Sequence, residues 1–68
     1  MDTIKRKLNI ETGLMHIALI RKFTIDGIEY GNAVSIVDTP SPMPDEAATC
    51  LLSPQLDRWE RTIRDRHA

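Results

Sequence analysis

One cysteine, Cys50, is all the chain has, so no intrachain disulfide can form and the usual reinforcement of small secreted domains is missing. Aromatic side chains number three, Phe23, Tyr30 and Trp59, which is sparse for a surface that stacks on bases. No long hydrophobic run is present: the longest apolar stretch, Leu14 to Ile20, is interrupted by His16. Neither a signal peptide nor a membrane span is expected, and the natural reading is a soluble, cytoplasmic protein.

Chemistry-bearing groups are equally scarce. His16 and His67 belong to different segments, and no spacing resembles His-Glu-x-x-His or paired Cys-x-x-Cys. The three glycines, Gly13, Gly27 and Gly31, fall at turns or within a strand and do not form a phosphate-binding loop. Asp45 and Glu46 are neighbours in sequence, so their carboxylates diverge and suit a helix start better than shared acid–base work. Cys50 lies in an apolar run, where a small buried hydrophobe is the expectation. No catalytic set, metal site or cofactor site is therefore expected.

What the chain does have is turn chemistry. Asp26-Gly27 stands between Ile25 and Ile28 and supplies the positive φ angles of a type I′ turn. A two-residue loop there pairs Ile25 with Ile28, Phe23 with Tyr30, Leu19 with Val34 and Ile17 with Ile36. Thr12-Gly13 marks a second turn, placing Ile10 opposite Met15 and Leu8 opposite Ile17. Both turns put Ile4, Leu8, Ile10, Met15, Ile17, Leu19, Phe23, Ile25, Ile28, Tyr30, Val34 and Ile36 on one face. The other face is polar or small, and His16 lies beside Asn9 on it. Agreement between the two turns predicts a three-stranded antiparallel meander, over about 3–11, 14–25 and 28–38. Gly31, inside the third strand, marks a bulge or a close backbone approach.

Thr39 to Pro44 has proline at every second position, which biases 39–44 toward a stiff extended connector. Ser53 can cap a helix and Pro54 suits its first position; Leu56, Trp59 and Ile63 follow on one stripe, predicting a C-terminal helix over about 54–67 with Trp59 in the core. Asp57 with Arg61 and Glu60 with Arg64 are favourably spaced ion pairs on its surface. Residues 45–52 fit a short helix or a fourth strand. The fold class expected is α+β, a single small domain spanning 1–68 in two layers, the helix covering the apolar face of the sheet. At 68 residues such a domain buries only about 60% of its unfolded surface.

Charge is segregated: residues 1–24 carry five basic and two acidic side chains, and residues 25–52 carry five acidic and none basic. Lys5, Arg6, Lys7, Arg21 and Lys22 form a candidate basic patch, Lys5, Lys7 and Lys22 on the polar face and the two arginines on the other. This patch supports an alternative reading as a nucleic-acid-binding regulator, against which the net charge of −1 weighs. In the order 1-2-3 the first strand is defended by Lys5-Arg6-Lys7. The third, Asn32, Ala33, Val34, Ser35, Ile36 and Val37, has neither charge nor proline, so its edge invites pairing. Residues 48–52, a second copy in a homodimer, or a foreign protein could satisfy it. Size, missing chemistry and an undefended edge favour a protein-binding module, an occluding inhibitor or regulator of a macromolecular partner. Accessory proteins of phages and other mobile elements are common in this size class.

Overall fold

A computed structural model describes residues 2–66. Its strands are β1 (Asp2–Leu8), β2 (Met15–Ile25) and β3 (Ile28–Thr39), followed by one helix, α1 (Asp45–Arg66). The strands form an antiparallel sheet in the order β1-β2-β3, and α1 packs on one face of it, an α+β fold. The core is Ile17 and Leu19 of β2 against Ala48, Leu52 and Leu56 of α1, with Ile4, Met15, Ala33, Val37 and Met43 around it.

The second hairpin forms as its turn residues dictate. Asp26 and Gly27 take φ of 52° and 78°, and Ile25 pairs with Ile28. Beyond that pair the ladder departs from the simple register. Thr24 lies opposite Glu29 but Phe23 lies opposite Gly31, so Tyr30 is an extra residue in β3. Gly31, at φ 121°, takes up the distortion with a backbone conformation L side chains rarely adopt. One inserted residue turns over every side chain that follows, because strand side chains alternate with period two. Leu19 therefore pairs with Ser35, not Val34, and Ile17 pairs with Val37, not Ile36. Ala33, Ser35 and Val37 lie on the helix side, while Val34 and Ile36 lie on the bare face, 46% and 52% exposed. Ser35 is 2% exposed, and its hydroxyl donates to Gln55 Oε1 of α1 at 3.0 Å.

The first hairpin is shifted by two residues, which preserves its faces. Leu8 pairs with Met15 and Arg6 with Ile17. The connection is longer than a tight turn because Asn9 organises it: its Oδ1 accepts from the backbone N–H groups of Glu11 and Thr12. Ile10 consequently leaves the sheet and is 89% exposed.

The helix begins nine residues before the expected start at Pro54, which settles 45–52 as helix and not a fourth strand. Ala48 N–H donates to Pro44 O at 3.0 Å, and Asp45 and Glu46 occupy the positive first turn. Ala48, Leu52 and Leu56 repeat every fourth residue and are the buried line of α1. Pro54 lies off that line, exposed inside the helix, and has no N–H for the Cys50 carbonyl. Cys50 itself is exposed, because residue 50 lies off the buried line. Trp59 is 54% exposed and is not a core residue; with Ile63 it lines an open notch beside Phe23, Gly31 and Ala33. Glu60 and Arg64 pair at 3.4 Å, whereas Asp57 turns to the sheet. His67 lies outside the described residues.

Candidate functional site

Hydrogen-bond parity decides what the edge of β3 offers. Asn9 N–H donates to Leu14 O at 2.8 Å, which makes that pair a bonded one in the β1–β2 ladder. Bonded and non-bonded pairs alternate along an antiparallel ladder, so the even residues of β2 bond to β1 and the odd ones to β3. Ile25, paired with Ile28 across a two-residue turn, has the parity this requires. In β3 the partners of odd β2 residues are Gly31, Ala33, Ser35, Val37 and Thr39. The backbone groups of Asn32, Val34, Ile36 and Asp38 therefore point away from the sheet. With α1 spanning 45–66, no described segment pairs with that edge.

The side chains of the same residues enlarge the surface. Val34 pairs with Ile20 and Ile36 with Ala18, giving an apolar patch on the sheet face opposite α1. Asn32 and Asp38 stand at its two ends along β3. His16 Nδ1 lies 2.7 Å from Asp38 Oδ1, so the partner of His16 is Asp38, not the loop residue Asn9. On the helix side, Trp59 and Ile63 face Phe23, Gly31 and Ala33 across a notch of about 320 Å³. Asn32 and Val34 also line it, so it opens at the β3 edge. Trp59 was legible as a large apolar residue; its place in a notch that opens at the β3 edge is what makes it a surface feature.

The five basic candidates separate as their strand parity requires. Lys5, Lys7 and Lys22 share the face opposite α1, and among the described ion pairs none involves them. Arg6 and Arg21 lie on the helix side. The Arg6 guanidinium donates to Asp45 Oδ1 at the start of α1. Arg21, its side chain 13% exposed, grips Asp2 with two bonds of 2.7 and 2.8 Å and reaches Asp57 Oδ1 at 2.7 Å. The hydrogen bonds from Arg21 hold the Asp2 carboxyl below its ordinary 3.8, against the opposing effect of burial. The bonds to Asp2 and Asp57 in turn raise the pKa of Arg21 above its ordinary value. Both arginines thus tie the helix and β1 to the sheet and are engaged before any phosphate arrives.

Among the described residues no group of three or more His, Cys, Asp or Glu is placed to hold a metal ion, and no helix is long and apolar enough to cross a membrane. No protein-family model matches the chain, and neither a curated protein nor a solved structure does.

Proposed function

We propose that this chain is a protein-binding module that receives a strand along β3 and, by covering the surface from which that strand comes, acts as an occluding inhibitor or regulator. The observation that supports the reading is the row of outward backbone groups at Asn32, Val34, Ile36 and Asp38, uncharged and proline-free through Val37. Such an edge is a template for another strand, and proteins that do not use one blunt it.

Backbone pairing alone does not make a complex. Each added hydrogen bond nets about 0.5–1.5 kcal/mol. Eight of them are therefore comparable to the roughly 4–15 kcal/mol lost on association. Apolar burial has to supply the surplus, and Val34, Ile36 and Trp59 are the exposed groups placed to do so.

The test is a proline where the donor points outward. Ile36→Pro removes an outward N–H and leaves the β2–β3 bonds alone, whereas proline at Ser35 would break the bond to Leu19. A partner captured by the wild-type chain after nuclease treatment should be lost by Ile36→Pro with its circular dichroism unchanged. Capture by the variant at full strength would refute strand addition. A nuclease-sensitive complex that fell apart steeply with salt would move the function to nucleic acid through Lys5, Lys7 and Lys22.

A further inference from the structure

We infer that the strand received by β3 is the β3 of a second copy of this chain, paired antiparallel about a two-fold axis through Ser35. The inference rests on the strand-addition reading and names its partner. Parity restricts the register, because outward groups must meet outward groups: even residues of β3 have to lie opposite even residues of the copy. A two-fold at Ser35 does this and engages every outward residue from 32 to 38. Val34 meets the copy's Ile36, and Asn32 meets the copy's Asp38. The reciprocal pairs follow from the symmetry.

The side chains fit this register on both faces. On the bare face the patch of Ala18, Ile20, Val34 and Ile36 continues into its own image, forming one apolar band across a six-stranded sheet. The ends of the pairing are complementary as well, since the Asn32 amide donates what the Asp38 carboxylate accepts. On the helix side Ala33 lies beside the copy's Val37, and the notch under Trp59 opens there. A valine side chain entering from the neighbouring strand covers an indole that is 54% exposed in the single chain. A two-fold axis falling between Ser35 and either neighbour would set even residues against odd ones. An axis one residue away, at Val34 or Ile36, keeps the parity but sets Asp38 opposite the copy's Tyr30 at the bulge, or Asn32 opposite the copy's Pro40, which has no donor.

Mass in solution over a concentration series tests this. Wild-type protein should rise from 7.7 kDa to twice that value, with Trp59, the one tryptophan, losing access to a soluble quencher as it does so. Ile36→Pro should remain at 7.7 kDa with its circular dichroism unchanged. Asn32→Asp, which sets two acids opposite each other, should weaken the dimer several-fold, and Asn32→Lys, which offers Asp38 a cation, should strengthen it. A dimer that survives Ile36→Pro, or that responds alike to both changes at Asn32, would overturn the inference. A chain that stays at 7.7 kDa but captures a foreign protein in an Ile36→Pro-sensitive way would overturn it while leaving strand addition standing. Capture indifferent to Ile36→Pro would remove both.

Discussion

The bulge at Tyr30 makes Ser35 a buried residue and Ile36 an exposed one, and lysine substitution at each position separates this register from the simple hairpin. Ser35 is 2% exposed beside Leu19, and its hydroxyl is bonded to Gln55, whereas Ile36 is 52% exposed on the bare face. At roughly 0.05–0.15 kcal/mol per residue, a chain of 68 residues has a total stability of about 3–10 kcal/mol. Ser35→Lys loses a hydrogen bond of about 1 kcal/mol and puts an ammonium under α1. Full burial of that charge would cost several kcal/mol. Because β3 is an edge, the lysine stem can bend toward water, so the combined cost is set at about 2 kcal/mol or more. Ile36→Lys adds a solvated charge and should change stability by about 0.5 kcal/mol or less. Urea unfolding of dilute protein followed by circular dichroism reads the difference directly. With a slope of about 1 kcal/mol/M, Ser35→Lys should lower the midpoint by about 2 M and Ile36→Lys should barely move it. The opposite ranking would mean that β3 pairs without the bulge and that Ile36 lies beneath the helix.

Other consequences follow from the same geometry. Leu56→Ala, at a position with no exposure, should cost about 2–5 kcal/mol, while Leu51→Ala, 53% exposed on the same helix, should cost little; equal costs in urea melts would misplace the buried line of α1. Pro54→Ala restores an N–H to the Cys50 carbonyl and should stabilise the chain by about 1–3 kcal/mol, seen as a higher midpoint; an unchanged or lower midpoint would show that the helix gains nothing there. Because Asp2 is held below its ordinary 3.8, its stabilising effect is complete above that value and is lost as pH falls through the lower, folded-state value. Asp2→Asn should therefore be less stable than wild type at neutral pH, by about 1 kcal/mol, with the gap closing below pH 3.8; a gap independent of pH would remove the Asp2–Arg21 pair as its cause.

Much of the fold could be read in residues that act locally. Asp26-Gly27 determines its own turn, the alternation in 15–25 places Ile17, Leu19, Phe23 and Ile25 inward, and the strand order follows from two short connections. What escaped was the effect of non-local packing on register. Gly31 marked a bulge, but only contact with α1 shows why the bulge is kept: it brings the small residues Ala33 and Ser35 under the helix in place of Val34 and Ile36. At the helix start, Ser53-Pro54 carries a genuine N-terminal signal, which the buried line of Ala48, Leu52 and Leu56 overrides. Of the candidate site, the undefended edge was visible as missing charge and proline in 32–37. Which of its backbone groups face outward depends on ladder parity, and Trp59 joins the site because it stands half exposed in the notch that Asn32 and Val34 also line.

Amide hydrogen exchange along β3, measured by NMR on protein diluted to its 7.7 kDa state, tests the free edge most directly. The N–H groups of Ala33, Ser35 and Val37 should exchange slowly, and those of Val34 and Ile36 quickly, becoming protected as concentration brings copies together. Slow exchange at Val34 and Ile36 with fast exchange at Ala33 and Ser35, in the dilute chain, would contradict the account. It would mean that the outward-facing row has been assigned to the wrong residues.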